Sequence, residues 1–220
     1  MVFFTRRFLP VVGTSIGNLD EGAIITLNES ASPVEFYVAK QDYESGLNGA
    51  GRTLLVRKEY YDVQPRVAWN STEVNTYANS TIDTWLNGAY KAFLPEAVQT
   101  AMGTTAFYYT PGNGNNAVTS LERAVFLLSL AEHGLSSPGM ANAEGSVLPT
   151  AGILLPYPFS PTVLTRWTRT PVIVAGYTSR AFWINYDSTF GHNPVTSTLA
   201  PRPAFTLPAT FKLSDSQIIA

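Results

Sequence analysis

Apolar and polar residues alternate over residues 34–39, so that Val34, Phe36 and Val38 fall on one face of an extended segment. A period of two residues is typical of a strand with one buried face. Short apolar or aromatic segments bounded by turn residues predict further strands at 23–27, 53–56 and 104–110. The first half of the chain is therefore expected to form short strands.

Further strands are predicted in the second half of the chain. The apolar run 124–130 has the length of a buried strand, which we favour, although a helix over 121–130 is the alternative. Residues 136–161 contain five prolines and predict a long irregular stretch. From residue 167 to residue 207, short strands and turns are expected to alternate.

Three segments in the middle of the chain have features of helix starts, at Ser71, Ser80 and Pro95. Ser80 gives the strongest signal because Asp83 follows three residues later, where it supports an N-terminal cap. The apolar stripe of this helix would consist of Ile82, Leu86 and Tyr90. Two or three short helices are therefore expected between the strands.

The composition supports a turn-rich domain that favours strands over a helical bundle. Apolar residues make up 45% of the 220 residues, and charged residues make up only 14%, against a usual share of about a quarter. The 16 glycines and 15 prolines supply turns. The sequence predicts a single α+β domain over residues 21–220, built of short twisted antiparallel strands, two or three short helices and long irregular loops.

Residues 1–20 are expected to form an N-terminal arm. The segment is too apolar for a free tail, yet Pro10, Gly13 and Gly17 interrupt any regular element. Such an arm either packs on its own domain or attaches the protein to a neighbouring subunit or a larger assembly. The sequence leaves both alternatives open.

Several classes of function are disfavoured by the composition. The chain has no Cys, which excludes disulfides and thiolate chemistry, and its two His residues make a multi-histidine metal site unexpected. A net charge of −2 argues against nucleic-acid binding. No apolar run reaches the roughly 18 residues of a membrane helix, so we expect no membrane insertion. No cofactor is predicted.

Catalytic motifs are also missing from the sequence. The carboxylates that acid–base chemistry would use are scattered along the chain at Asp42, Glu44, Asp83, Glu96, Glu132 and Asp187. Glu132 and His133 are adjacent, and neighbours on a strand face opposite sides. No Gly-x-Ser-x-Gly elbow and no phosphate-binding loop is present. We therefore expect a protein that is not an enzyme.

Residues 172–200 have the composition of an adaptable binding surface, rich in Tyr, Ser, Asn, Gly, Trp and Arg. The alternative is an ordinary turn-rich β segment with half of its side chains in the core. The candidate binding residues are Tyr177, Thr178, Ser179, Arg180, Trp183, Asn185, Tyr186, Asp187, Phe190, His192 and Asn193.

Two signatures flank this segment. Trp167-Thr-Arg-Thr-Pro171 resembles the Trp-Leu-Arg-Ser-Pro signature, and Arg202-Pro-Ala-Phe-Thr-Leu-Pro208 resembles the closing Arg-Pro-Ala-Leu signature, of a family of unassigned function in gut bacteria and their tailed phages. Further matching segments are Gly46-Leu-Asn-Gly, Leu54-Leu-Val-Arg-Lys, Ile82-Asp-Thr-Trp-Leu-Asn and Tyr109-Thr-Pro-Gly-Asn-Gly. Thr168 and Pro201 depart from the pattern.

This resemblance implies a C-type-lectin-like fold and a likeness to the variable proteins of diversity-generating retroelements. In those proteins, mutagenesis varies chosen codons near the C-terminus, and the product binds a changing host-surface ligand. The variable region would lie within 167–202. Scaffold residues on either side would be Trp167, Arg169, Pro171, Arg202 and Pro203. A guanidinium has several donors in a fixed geometry, so Arg169 and Arg202 are expected to bind irregular backbone carbonyls.

The first hypothesis is thus a virion protein of a phage, made in the bacterial cytoplasm and carried on the tail or capsid surface. It would bind a bacterial surface protein or glycan for host attachment, and its arm would bind other virion proteins, with the chain as a homo-oligomer. The second hypothesis is a structural head or tail decoration protein with the same fold. The third, an enzyme, would require two carboxyl groups close together in a pocket.

Overall fold

Short antiparallel strands account for most of the regular structure, and the helices are few and short. The computed structural model describes residues 13–61, 66–140, 144–155 and 165–219. Within these residues, every pair of neighbouring strands is antiparallel. The chain is a mixed α+β protein, as its sequence predicts.

The strands in chain order are β1 Thr14–Ser15, β2 Ile24–Glu29, β3 Ser32–Lys40, β4 Arg52–Arg57, β5 Val67–Ala68, β6 Thr105–Tyr109, β7 Thr119–Arg123, β8 Val125–Leu127, β9 Thr165–Pro171, β10 Arg180–Asn185, β11 Phe190–Pro194, β12 Thr198–Leu199, β13 Pro203–Pro208, β14 Lys212–Leu213 and β15 Ile218–Ile219. The helices are α1 Ser45–Asn48, α2 Thr81–Trp85, α3 Lys91–Phe93, α4 Glu96–Met102 and α5 Ala151–Leu154. A π-helical turn, Leu86–Tyr90, joins α2 to α3. Single 3₁₀ turns lie at Ile16–Asn18, Ala131–His133 and Asp215–Gln217.

The largest sheet has six strands in the order β15-β2-β3-β4-β13-β8. Its central strands β4 and β13 are buried on both faces, and the core includes Phe36 of β3, Leu55 of β4 and Phe205 of β13. The rings of Phe36 and Phe205 meet edge to face with their centroids 5.5 Å apart. The apolar faces of α2 and α4 join the same core. The strands expected at 23–27, 34–39, 53–56 and 104–110 are confirmed as β2, β3, β4 and β6.

A second sheet of three strands, in the order β11-β10-β9, carries most of the segment that the sequence analysis selected for binding. Strands β10 and β11 form a hairpin in which Phe182 lies opposite His192 and Trp183 lies opposite Gly191. On its other side, β10 pairs with β9, where Trp183 lies opposite Trp167. The hairpin is therefore attached to the domain along one edge, through β9.

The predicted helix at Ser80 is confirmed. The Ser80 hydroxyl accepts a hydrogen bond from the backbone N–H of Asp83 at 3.2 Å, and Asp83 accepts one from the backbone N–H of Asn79 at 2.8 Å. Pro95 lies at the N-terminal cap of α4, so the prediction of a helix there is also confirmed. The strand predicted at 124–130 is confirmed over residues 125–127 as β8, and residues 128–130 lie beyond its end.

The helix predicted to begin at Ser71 is wrong. Residues 71–73 form bends. The backbone N–H of Ser71 donates to the Thr81 hydroxyl at 2.8 Å, and the Asn70 side chain donates to the Val74 carbonyl at 2.9 Å. These side-chain bonds, one of them to a residue ten positions away, take the place of a helical ladder.

The part of the predicted N-terminal arm that the structure describes packs on its own domain. Thr14 of β1 pairs with Leu213 of β14, and Ile16 is fully buried in the main core. Residues 1–12 of the arm lie outside the described residues. No helix within the described ranges has the length and apolarity needed to cross a bilayer.

Candidate functional site

All five predicted scaffold residues are buried: Trp167, Arg169, Pro171, Arg202 and Pro203. The first three lie on β9, and Arg202 directly precedes β13 of the six-stranded sheet. Residues 172–200 therefore leave the domain interior at one buried strand and return to it at another.

Arg169 is a fully buried cation at the centre of a polar cluster. Its Nη1 lies 2.6 Å from Glu132 Oε2. The guanidinium also donates to three backbone carbonyls, those of Leu127 at 2.8 Å, Tyr108 at 3.0 Å and Glu144 at 3.1 Å. Burial alone would lower the pKa of Arg169, but the Glu132 carboxylate raises it above its ordinary value. The side chain thus binds irregular backbone, as its donor geometry suggests.

Glu132 is as buried as its partner, and both of its oxygens are occupied. Oε1 accepts the hydroxyl of Tyr43 at 2.6 Å, and Oε2 accepts the backbone N–H of Ser129 at 2.8 Å in addition to Arg169. Burial raises the pKa of Tyr43, and the neighbouring carboxylate raises it further. The arrangement holds Glu132 as the fixed counter-ion of Arg169.

A second buried carboxylate belongs to Glu144, whose backbone carbonyl accepts a hydrogen bond from Arg169. Its Oε1 accepts the backbone N–H of Thr110 at 2.5 Å, and its Oε2 accepts the hydroxyl of Thr170. Burial raises the pKa of Glu144, while the positive charge of Arg169 lowers it. Glu144 lies in an irregular stretch with no periodic pattern, so the sequence analysis did not select it.

Glu44 also approaches this cluster. A Cβ atom on Gly145 would lie 3.1 Å from Glu44 Oε1 and 3.4 Å from Glu132 Oε1, so these two carboxylate oxygens are close to each other. Burial raises the pKa of Glu44, and Glu132 raises it further. The sequence placed no two carboxylates together, and for Glu44 and Glu132 this expectation is wrong.

The adjacent Glu132 and His133 lie in a 3₁₀ turn instead of a strand, and His133 Nδ1 bonds to the Ser129 carbonyl at 2.8 Å.

Arg202 binds backbone at the other end of the segment. It donates to the carbonyls of Arg57 at 2.7 Å, Leu154 at 2.5 Å and Lys58 at 2.9 Å. Arg166 of β9 donates to the same Leu154 carbonyl at 2.9 Å. The two arginines therefore connect the start of β13, the end of β4 and α5, which fixes where the segment 172–200 rejoins the domain.

The eleven candidate binding residues, by contrast, are all partly or fully exposed: Tyr177, Thr178, Ser179, Arg180, Trp183, Asn185, Tyr186, Asp187, Phe190, His192 and Asn193. Tyr177 and Tyr186 expose 40% and 42% of their surface, which is unusual for large aromatic side chains. Other residues of the same segment are buried, namely Val172, Ala181, Phe182, Ile184, Val195, Leu199 and Ala200. The segment thus divides into an interior set and an exposed set.

Asn75 fixes the first loop of this segment from beneath, and the sequence analysis missed it. Its side-chain amide donates to the carbonyls of Val172 at 2.7 Å and Arg180 at 2.9 Å, and its backbone N–H donates to the Thr178 carbonyl at 2.9 Å. Its side-chain oxygen accepts the backbone N–H of Asn113 at 2.8 Å. Asn75 is fully buried, so these bonds hold residues 172–180 in one conformation.

Above this loop, three candidate binding residues form a cationic and aromatic cluster: Tyr177, Arg180 and His192. The Arg180 guanidinium carbon lies 5.3 Å from the centre of the Tyr177 ring, and Arg180 Nη1 lies 3.3 Å from His192 Nδ1. The Tyr177 and His192 rings meet edge to face at 5.3 Å. His192 also meets the buried Phe182 at 6.0 Å, which connects the cluster to the interior.

The turn between β10 and β11 carries another three candidate binding residues: Asn185, Tyr186 and Asp187. Asp187 Oδ1 accepts the backbone N–H of Thr189 at 3.0 Å and its hydroxyl at 2.5 Å, and these bonds lower the pKa of Asp187. Ser188 adopts a positive φ of 68°. The Tyr186 side chain stays exposed at the end of the hairpin.

Two candidate binding residues have a share in the packing. Trp183 packs against the main core, and a Cβ atom on Gly191 would lie only 2.7 Å from its ring. Phe190 packs against the smaller cluster around Phe182 and Ile184. Trp183 and Phe190 are therefore better described as half-buried side chains of an ordinary β segment than as freely exposed binding residues.

Beside the segment lies a groove with a volume of ≈ 500 Å³, lined by residues 131, 134–137, 140 and 145–147. The Ile173 N–H donates to the Gly139 carbonyl at 2.9 Å, so the groove wall is bonded to the segment 172–180. Among the described residues, no three His, Asp or Glu side chains lie together as a metal would require.

The comparisons with known proteins concern the same region. Residues 50–209 match the model of a protein family described as "Domain of unknown function (DUF6273)". The matched range includes all scaffold residues and all candidate binding residues. No curated protein and no solved structure is significantly similar to the chain. Because the match covers more than half of its length, the chain belongs to the DUF6273 family.

Proposed function

We propose that this protein is a ligand-binding protein without catalytic activity, and that its ligand contacts the exposed residues between Tyr177 and Asn193. The observation that carries the proposal is the division between buried scaffold residues and candidate binding residues that are half-buried or exposed. An exposed set rich in Tyr, Asn, Ser and Arg offers large contact area and adaptable hydrogen bonds. Because the scaffold holds the ends of the segment, the exposed side chains are free to change without loss of the core.

The carboxylate cluster does not favour an enzyme over this proposal. Glu132 is fully buried and its oxygens accept hydrogen bonds from Tyr43, Ser129 and Arg169, so a substrate in solution does not contact it. General acid–base catalysis needs a group within hydrogen-bond reach of the substrate. Arg169, Glu132 and Glu144 bond to one another, to backbone groups and to buried hydroxyls, as the residues of a structural cluster do. Glu44 Oε1 is the exception, because it is buried without a hydrogen-bond partner among the described residues.

We further propose that the fold is C-type-lectin-like. The support is the combination of short antiparallel strands, short helices and long irregular stretches, with the binding segment carried between β9 and β13. The first described strand, β1, pairs with β14, and the last strand, β15, pairs with β2, so both ends of the described chain pack on the same domain. Under this proposal, the loops of residues 172–200 can vary in sequence without disturbing the strand pairs that hold the ends of the described chain.

In the biological setting that we propose, the protein is carried on a phage virion and attaches it to a bacterial surface protein or glycan. The N-terminal arm would bind other virion proteins, and several copies in a homo-oligomer would add weak contacts into useful avidity. The sequence resemblance to variable phage proteins supports this setting.

The test measures binding of the labelled protein to a panel of gut bacterial cells by flow cytometry. Tyr186→Ala removes the aromatic side chain of a candidate binding residue that is 42% exposed. Ile153→Ala is the matched control, because Ile153 is equally exposed at 42% but lies outside the segment 172–200.

We expect the wild type to bind at least one strain, Tyr186→Ala to weaken that binding by about tenfold, and Ile153→Ala to leave it unchanged. Both variants should melt within a few degrees of the wild type, because neither side chain is buried. Absence of binding to every strain, or equal loss in the two variants, would contradict the proposal.

A further inference from the structure

The cluster of Tyr177, Arg180 and His192 carries a positive charge that no described carboxylate neutralises. Among the ion pairs of the described residues, each with N and O within 4.0 Å, none includes Arg180. Within residues 172–200, Asp187 is the single acidic residue, and it lies in the turn at the opposite end of the hairpin. A guanidinium that is stacked on an aromatic ring and lacks a counter-ion is suited to bind an external anion.

The hydrogen-bond geometry defines which atoms face a ligand. Arginine has donors only, so His192 Nδ1 must accept the bond from Arg180 Nη1 at 3.3 Å. With Nδ1 as the acceptor, the ring donates through Nε2. Arg180 has this one side-chain hydrogen bond within the described chain, and its remaining N–H groups are available. The cluster therefore offers several donors from two side chains and no strong acceptor from either.

The cluster is also preorganised before a ligand arrives. Asn75 bonds to the carbonyls of Thr178 and Arg180, and the Arg180 N–H donates to the Tyr177 carbonyl at 3.0 Å. Tyr177 and Arg180 thus belong to one turn that is fixed from the domain side. Fixing the turn in advance lowers the entropy cost of binding.

We infer that this cluster binds the carboxylate of an acidic sugar on the host surface. The inference rests on the proposed function and names its ligand class. A sugar acid supplies an anion for Arg180 and His192, an apolar C–H face for the exposed Tyr177 ring, and hydroxyls for the neighbouring Thr178 and Ser179. The small polar neighbours leave the cluster open to a shallow, hydroxyl-rich ligand.

The primary experiment is an NMR titration of the full chain that follows the ring protons of His192. The three probes are glucuronate, glucose and acetate, which offer the sugar with the carboxylate, the sugar alone and the carboxylate alone. We expect glucuronate to shift the His192 signals and to saturate at about a tenfold lower concentration than acetate. Glucose should leave the signals unmoved.

Arg180→Gln should raise the glucuronate concentration at half saturation by about tenfold or more, because the charge-assisted bonds are lost. The matched control is Lys212→Gln, which removes the same charge from an exposed residue on β14. It should leave the titration unchanged. Arg180→Gln should keep the wild-type melting temperature within a few degrees, since Arg180 has no ion pair with a described residue.

Equal affinities for glucuronate and acetate would overturn the assignment of a sugar, and an Arg180→Gln titration like that of the wild type would overturn the site. The cell-binding assay separates this inference from the proposed function. If cell binding depends on Tyr186 but is unaffected by Arg180→Gln and by added glucuronate, the proposed function stands and the inference of an acidic sugar is refuted. Glucuronate binding through Arg180 without any cell binding keeps the sugar site and refutes host attachment.

Discussion

Replacing Arg169 by Met tests the claim that buried polar bonds hold the scaffold. Met has a similar volume and fills the space, but it removes the charge and every donor. The substitution leaves Glu132 as a fully buried carboxylate without its cation, and it removes the donor to the carbonyls of Tyr108, Leu127 and Glu144. Breaking a buried ion pair by removing one partner costs about 3–5 kcal/mol.

This loss is large compared with a total stability of about 5–15 kcal/mol for a folded domain. In a chain of this size, 1 kcal/mol lowers the melting temperature by roughly 2–4 °C, so Arg169→Met should lower it by about 6–20 °C. Arg180→Met is the matched control, because Arg180 is partly exposed and has no ion pair with a described residue. The control should change stability by about 0.5 kcal/mol or less.

The assay is urea unfolding at pH 7, followed by fluorescence and circular dichroism. Adding Glu132→Gln to Arg169→Met removes the unpaired charge and should recover about 1–3 kcal/mol, because contacting residues are energetically coupled. Equal stability losses for Arg169→Met and Arg180→Met would refute the argument that the buried cluster holds the scaffold. So would a double variant that is less stable than Arg169→Met.

Two further predictions concern other buried positions. Burial lowers the pKa of His133 well below 6.5, and the nearby Arg166 lowers it further. Below pH 6.5 the unfolded chain therefore takes up a proton that the folded chain does not. The free energy of unfolding should fall by about 1–2 kcal/mol between pH 7 and pH 5. His133→Phe should lack this part of the pH dependence in urea unfolding, and a difference from the wild type that is constant with pH would contradict it. Gly112 has a φ of +79°, and a Cβ atom there would lie 2.1 Å from the Asn75 carbonyl oxygen, so Gly112→Ala should cost about 2 kcal/mol or more. Gly46→Ala, where nothing lies within 4 Å, should be close to neutral in the same thermal scan, and similar losses for both glycines would contradict the geometry.

Local patterns were sufficient to predict elements whose signal lies within a few consecutive residues. The alternation of residues 34–39 predicted β3, and the spacing of Ser80 and Asp83 predicted α2, because each signal describes contacts within a few residues. The same reasoning failed at Ser71. There the Ser71 N–H donates its hydrogen bond to the hydroxyl of Thr81, ten residues away, and a capping signal alone does not show such a competing partner.

The candidate site could be predicted only in outline. Composition and flanking signatures selected the segment 172–200, but they did not reveal Asn75, whose side-chain bonds reach residues 97 and 105 positions away. Nor did they show that Glu44 and Glu132 approach each other. A signal was available for Glu132, because it directly follows an apolar run long enough to be a buried strand. A carboxylate in such a buried position needs a cationic partner, and Arg169 is one of the few cationic residues of the chain.

The central claim is that a buried scaffold carries an exposed surface that tolerates change. The most direct test is a scan of all substitutions at residues 165–208, in which folding is measured by protease resistance of the displayed protein. The account predicts broad tolerance at Tyr177, Thr178, Tyr186 and Asp187, and strong intolerance at Trp167, Arg169 and Arg202. Equal tolerance in the two groups, or intolerance at the exposed positions, would contradict it.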